Sequence, residues 1–281
     1  KTHLLFYVLI TMLLALIVWT IWGNTALMAN SITLSGNQIP SEFSGFRIAQ
    51  ISDLHNAEFG EGNSHLLNSL SESKPDMIAI TGDLVDAQHT NIDVALSFAE
   101  KAVQIAPVYY VTGNHEASLS QYSELKTGLE AAGVIVLEDK AIQLEHNGGI
   151  VTLMGLSDPN FTIKSNIFDE VPAMISTKLN DLMENKVGYT ILLSHRPELF
   201  DTYVSCGVDL VLSGHAHGGQ FRLPLIGGLV APNQGFFPKY DAGLYSDGGT
   251  NMVVSRGLGN SIIPLRFNNR PEIVLVELTA D

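Results

Sequence analysis

Residues 46–55 read FRIAQISDLH, an apolar run from Phe46 to Ser52 that stops at Asp53 and then presents His55. The arrangement recurs along the chain. Met77–Thr81 runs into Gly82-Asp83, and Val108–Thr112 into Gly113-Asn114-His115. Tyr189–Ser194 ends at His195, and Val208–Ser213 at Gly214-His215, with His217 two residues on. Short apolar runs bounded by Gly, Pro or polar groups read as buried strands. Between them lie helical patterns at 63–73, 91–105, 120–132, 167–185 and 197–205, with Pro75, Pro107 and Pro197 at their boundaries. Near-continuous apolar strands alternating with helices mean an α/β sheet covered on both faces. Further strands are expected at 134–137, 141–145, 149–155, 251–255 and 272–279, and this surplus implies a second sheet packed on the first.

In such folds the loops at the carboxyl ends of strands line the active-site crevice. The five strand ends would therefore deliver Asp53, His55, Asp83, Asn114, His115, His195, His215 and His217 to one place. Carboxylates, imidazoles and an amide carbonyl form a mixed oxygen and nitrogen donor set, and no thiolate is among them. That set suits Mn, Fe, Zn or Co better than Ca or Mg. A carboxylate such as Asp83 can serve two cations, so two divalent metal ions are expected. A lone histidine at a strand end is ordinarily structural; four accompanying blocks change that reading for His195, but not for His3, His65, His89 or His146.

The blocks Asp53-Leu54-His55, Gly82-Asp83, Gly113-Asn114-His115-Glu116, His195 and Gly214-His215-Ala216-His217 resemble the calcineurin-like metallophosphoesterases, in that family's order. Gly218-Gly219-Gln220, Ser255-Arg256-Gly257-Leu258-Gly259 and Asn269-Arg270-Pro271-Glu272 extend the likeness towards its membrane-anchored bacterial branch. The resemblance implies two mixed β-sheets packed as a sandwich and flanked by helices. It implies one metal on Asp53, His55, Asp83 and His217, and a second on Asp83, Asn114, His195 and His215. His115 would contact the phosphate and protonate the leaving oxygen rather than bind metal. The implied activity is hydrolysis of phosphate esters, in particular phosphodiesters or a membrane-associated phosphorylated substrate, by a metal-activated water. A nucleotide-sugar or lipid pyrophosphatase of envelope synthesis is an alternative, and a non-catalytic metal-binding scaffold another.

Ahead of this domain, Leu4–Trp22 carries no charge and lacks a polar stripe. As a helix it would reach about 28 Å, close to the hydrocarbon thickness of a bilayer. It is longer than a signal-peptide core, and Trp19 and Trp22 suit the aromatic interfacial belt. A transmembrane anchor is expected over 1–23, a polar linker with room for one strand over 24–44, and the metallophosphoesterase domain over 45–281. Lys1 precedes the apolar run and the next basic residue is Arg47, which favours an extracytoplasmic domain. A cytoplasmic active site is the alternative that envelope pyrophosphatase chemistry would need.

The composition excludes other classes. With 46% hydrophobic and 16% charged residues the chain is not a disordered protein. A net charge of -14 disfavours nucleic acid as a partner. Cys206, the only cysteine, rules out intrachain disulfides. Among the basic residues, Arg222, Arg256 and Arg266 are candidates for phosphate contact or for structural ion pairs. Asp86 and Glu116 adjoin ligand blocks and could orient a histidine. The stretch Leu223–Tyr245, with Phe236, Phe237, Tyr240 and Tyr245, reads as a packed loop or as a lipid contact, the former favoured.

Overall fold

The computed structural model describes residues 2–163, 170–260 and 265–281. The apolar N-terminal segment forms α1 (Thr2–Thr25), whose apolar side chains are exposed along its length. Among the described residues it is the one helix long and apolar enough to cross a membrane.

The strands predicted from the apolar runs form where expected: β2 (Arg47–Ile51), β3 (Met77–Thr81), β4 (Val108–Val111), β8 (Thr190–Leu193) and β9 (Leu210–Ser213). The surplus strands are β5 (Ile135–Val136), β6 (Lys140–His146), β7 (Gly149–Gly155), β15 (Thr250–Val254) and β16 (Glu272–Thr279). With β1 (Met28–Ser35) and β14 (Gly243–Asp247) they make two six-stranded mixed sheets, in the orders β1-β16-β2-β3-β4-β5 and β14-β15-β9-β8-β7-β6.

The sheets pack face to face, and strand alternation explains how. In β3, Met77 and Ala79 point into the inter-sheet core with Ile191, Leu212 and Val253 of the second sheet. Ile78 and Ile80 point the other way, against α2 (Ser64–Ser73), α3 (Ile92–Ala102) and α5 (Tyr122–Ala132). On the far side, Leu192, Val211 and Met252 pack under α6 (Val171–Met183) and α7 (Phe200–Ser205). The start of the expected helix 167–185, at 167–169, lies outside the described residues. The architecture is the expected sandwich with helices on both outer faces.

Within 24–44, β1 takes the place left for one strand and pairs in parallel with β16 from Met28↔Glu272 to Ser35↔Thr279. Its exposed face carries Ala29, Ser31, Thr33 and Ser35, so no continuous apolar run marks it; the neighbouring strand recruits it. The stretch 223–245 is also strand-built: hairpins β10 (Arg222–Leu223) with β11 (Gly227–Gly228) and β12 (Val230–Ala231) with β13 (Gly235–Phe236), then β14.

Candidate metal centre

Three of the five ligand-bearing strand ends, those of β2, β3 and β9, turn through an unusual backbone. Asp53, His55, Asp83, His215 and His217 have φ of 51°, 46°, 51°, 65° and 47°. A non-glycine residue in the left-handed region costs of order 1–3 kcal/mol, and such strain persists where surrounding structure over-determines it. Two glycines permit the close approach of these turns. A Cβ at Gly113 would stand 2.2 Å from Asp83 Oδ1, and one at Gly214 would stand 1.8 Å from Ser52 Oγ. The Gly of each block is therefore a packing requirement.

The turns bring the expected residues together in two groups that share Asp83: Asp53, His55, Asp83 and His217, and Asp83, His195 and His215. In the first, His217 Nε2 lies 3.3 Å from Asp53 Oδ1 and 3.3 Å from His55 Nε2. In the second, His195 Nε2 lies 3.2 Å from Asp83 Oδ2 and 3.1 Å from His215 Nδ1. Asp83 Oδ2 also stands 3.7 Å from His55 Nε2.

Donor chemistry tests whether cations fit here. His195 Nδ1 lies 2.8 Å from the Thr81 carbonyl, to which it donates, so its Nε2 presents a lone pair to the cluster. Burial keeps the His55, His215 and His217 rings below their ordinary pKa, favouring the neutral, ligating form. Converging imidazole nitrogens beside two carboxylates repel one another unless positive charge lies between them. Asn114 Oδ1 is buried with no hydrogen-bond partner among the described residues. An orphaned carbonyl oxygen in a polar cluster costs about 1–3 kcal/mol, and a cation would satisfy it. The residues fit divalent metal.

His195 itself behaves differently. Burial alone would lower its pKa, but the Asp83 carboxylate outweighs burial and raises it to about 10.

Asn114 and His115 do not sit on an irregular loop. They begin a short helix, α4 (Asn114–Ser118), whose third residue is Glu116. The buried Glu116 carboxylate accepts the backbone N–H groups of Gly113 at 2.7 Å, Asp83 at 2.9 Å and Leu84 at 2.8 Å. Burial and the nearby Asp83 charge push its pKa up to about 7, against these hydrogen bonds. Glu116 therefore clamps the β3 and β4 exits, and its partners are amides, not a histidine. Asp86 Oδ1 accepts the N–H groups of Gln88 and His89, and the turn it builds offers the Ala87 N–H to His115 Nδ1 at 3.1 Å.

Arg196 and Asp158 were not among the residues anticipated. Their side chains are buried and paired through two bonds, Nε to Oδ2 at 2.5 Å and a terminal nitrogen to Oδ1 at 2.9 Å. The other terminal nitrogen of Arg196 lies 3.1 Å from His215 Nε2, which also faces Asn233 Oδ1 at 3.3 Å. Arg196 and Asn233 line a cleft of about 350 Å³ with Pro159, Val171, Glu198 and Leu199. Arg196 directly follows His195, which was the available sequence signal; Asp158 carried none. The three anticipated arginines take structural partners. Arg222 pairs with Asp241 at 2.9 Å and Arg256 with Glu272 at 3.6 Å. Arg266 is fully buried, donates to the Arg256 and Gly259 carbonyls, and lies 3.4 Å from His217 Nδ1. Gly257 and Gly259 lie against the metal loop, where Gly259 N–H donates to the Asp53 carbonyl at 2.7 Å.

Comparison with known proteins agrees with this geometry. The family model described as calcineurin-like phosphoesterase matches residues 46–219. The chain is 30% identical over 251 residues to YkuE of Bacillus subtilis (strain 168), an uncharacterized metallophosphoesterase, covering 88% of this chain and 83% of that one. It is 29% identical over 243 residues to the phosphodiesterase YaeI of Escherichia coli (strain K12), covering 83% and 82%. The crystal structure of TT1561 of Thermus thermophilus matches with a TM-score of 0.53 at 15% identity, over 76% of this chain and 91% of that one, a likeness of fold. Since the family match spans more than half of the sequence and takes in every strand end described above, this chain belongs to the calcineurin-like phosphoesterases and is a metallophosphoesterase, a hydrolase.

Proposed function

We propose that this metallophosphoesterase hydrolyses phosphodiesters, or a phosphorylated substrate held at a membrane, with water as the attacking group. Asp53, His55, Asp83 and His217 would hold one divalent cation, and Asp83, Asn114, His195 and His215 a second. The observation that carries the reading is Asp83 Oδ2, placed between His195 Nε2 at 3.2 Å and His55 Nε2 at 3.7 Å. One carboxylate thereby belongs to both groups, as a two-metal site requires.

When bound, two such cations polarise phosphoryl oxygens and bring the pKa of a water towards neutrality. The donor set favours Mn, Fe, Zn or Co. The chain's own groups supply the rest. His115 accepts the Ala87 N–H at Nδ1, so its ring proton resides on Nε2, the atom that would donate to the departing oxygen. Arg196, held by Asp158, keeps a fixed positive charge beside His215, at the mouth of the cleft that would receive the group next to the phosphorus. The buried carboxylates, locked by backbone N–H donors, are preorganised and need no rearrangement.

We place α1 in a membrane as the anchor and, on the charge bias, the catalytic domain outside the cytoplasm. The test is turnover of bis-p-nitrophenyl phosphate and p-nitrophenyl phosphate by the full chain in detergent, with Mn²⁺ and with chelator. Metal-dependent turnover, faster on the diester and lost in Asp83→Ala and His215→Ala, supports the reading. Two bound metals without turnover on either compound would restrict it to a membrane-borne substrate. No bound metal and no turnover would sink it.

A further inference from the structure

The strand registers place the metal centre at the edge of the sheet where α1 enters. β1 runs parallel to β16, and β16 antiparallel to β2, so β1 begins at the end where β2 delivers Asp53. Three backbone hydrogen bonds lead across this edge: Met28 N–H to the Pro271 carbonyl, Glu272 N–H to Gly257, and Gly259 N–H to Asp53. In the sheet only β16 separates β1 from β2, so the two strands lie about 10 Å apart at ~4.8 Å per spacing.

The end of α1 is also fastened to this edge. The Asn24 side-chain amide donates to the Arg266 carbonyl at 2.9 Å and accepts the Arg266 N–H at 2.7 Å. Arg270 donates to the Ala26 and Leu27 carbonyls and stacks 4.5 Å over the Trp22 ring. The same segment carries the hairpins, because Arg222 N–H donates to the Phe267 carbonyl and Asn268 Nδ2 to the Arg222 carbonyl. The hairpins in turn rest on the metal loop. Leu229 N–H donates to the Gly219 carbonyl, and a Cβ at Gly219 would meet the Gly228 backbone at 2.3 Å.

From this platform four large apolar side chains project into solvent: Leu225 fully exposed, Phe236 at 75%, and Ile226 and Phe237 at 61% each. Tyr240 and Tyr245 follow the favoured packed-loop reading: their rings meet edge to face at 5.1 Å and pack on the outer core of the second sheet. Leu225, Ile226, Phe236 and Phe237 are instead exposed together on two successive hairpins, and apolar side chains gathered in this way mark an interaction or membrane-contact site. The helix entering beside them is apolar throughout and ends in Trp19 and Trp22, residues that favour the membrane interface.

We propose that the two hairpins form a second lipid contact, in which Leu225, Ile226, Phe236 and Phe237 enter the headgroup–acyl boundary of the bilayer that α1 crosses. The proposal rests on α1 being a membrane anchor but not on the enzyme's substrate, and its test measures no hydrolysis.

The full chain, with Cys206→Ser, is reconstituted in phosphatidylcholine–phosphatidylglycerol nanodiscs with an environment-sensitive fluorophore on a single introduced cysteine. The sites are Leu225→Cys, Phe236→Cys, Leu9→Cys within α1, and Gln38→Cys beyond the far end of β1. Lipids carrying a nitroxide on the acyl chain then serve as quencher. The expected result is a blue shift and loss of emission at 225, 236 and 9, with no change at 38. Quenching at 9 alone would overturn the hairpin contact and leave the anchor standing. A blue shift at 225 and 236 without quenching would show that protein covers the hairpins, and would overturn it. Quenching at none of the sites would remove both the anchor and the proposal.

Discussion

The backbone N–H of Asp83 donates to the carboxylate of Glu116 at 2.9 Å, across two strand exits that are 33 residues apart in sequence. The same oxygen takes the Gly113 N–H, so one buried carboxylate sets the distance between Asp83 and the helix that presents Asn114 and His115. Replacing one of its oxygens with an amide NH₂ turns a donor towards amide donors. Glu116→Gln should lose about 1–3 kcal/mol of stability. Metal affinity should fall by ~10–100-fold, as expected of a group that orients ligands. Urea unfolding with and without Mn²⁺ reads both effects; an unchanged midpoint would refute the clamp.

Asp83 stands in both ligand groups, whereas His195 stands in one. Asp83→Ala should therefore abolish binding of two metals and reduce turnover by more than about 100-fold, beyond the effect of an orienting partner. His195→Ala should retain a metal at Asp53, His55, Asp83 and His217. Metal stoichiometry by elemental analysis separates the two variants, and equal losses would argue against a shared carboxylate.

Gly214 and Gly133 make a controlled pair. A Cβ at Gly214 would meet Ser52 Oγ at 1.8 Å and Asp53 Oδ2 at 2.5 Å, whereas at Gly133 it would meet nothing, although φ there is +97°. Gly214→Ala should displace Asp53 and abolish metal-dependent turnover. Gly133→Ala should cost only the left-handed strain of about 1–2 kcal/mol and leave turnover intact. Melting temperatures and turnover measured on both variants would expose any general intolerance of the fold.

Asp158 and Arg196 are a buried pair with little water to share the charge. Removing one partner strands the other, so Asp158→Ala should destabilise the fold by about 3–5 kcal/mol. Arg196→Met in the same chain should recover part of that loss, because the stranded charge goes too. If the double variant is no more stable than Asp158→Ala, the cost has another source.

What was legible in the sequence depended on local periodicity. The runs ending at Asp53, Asp83, Asn114, His195 and His215 predicted strands and strand-end ligands because a buried strand must be apolar on both faces and its side chains repeat every two residues. In the structure Asp53, Asp83, His195 and His215 fall in two groups that share Asp83. β1 left a weaker mark: Ser31, Thr33 and Ser35 face solvent, and pairing with β16, from Met28↔Glu272 onwards, makes it a strand.

The sequence by itself determined the two-sheet α/β architecture, the family and the candidate ligand set, because each is encoded in short apolar runs and in the residue that ends them. Tertiary structure alone decided the left-handed turns that aim the ligands, the Glu116 clamp, the Arg196–Asp158 pair, the split of the aromatic loop into packed tyrosines and exposed phenylalanines, and the placement of the metal centre beside α1. Those features join atoms far apart along the chain, and a contact of that range leaves no periodic trace in the sequence that makes it.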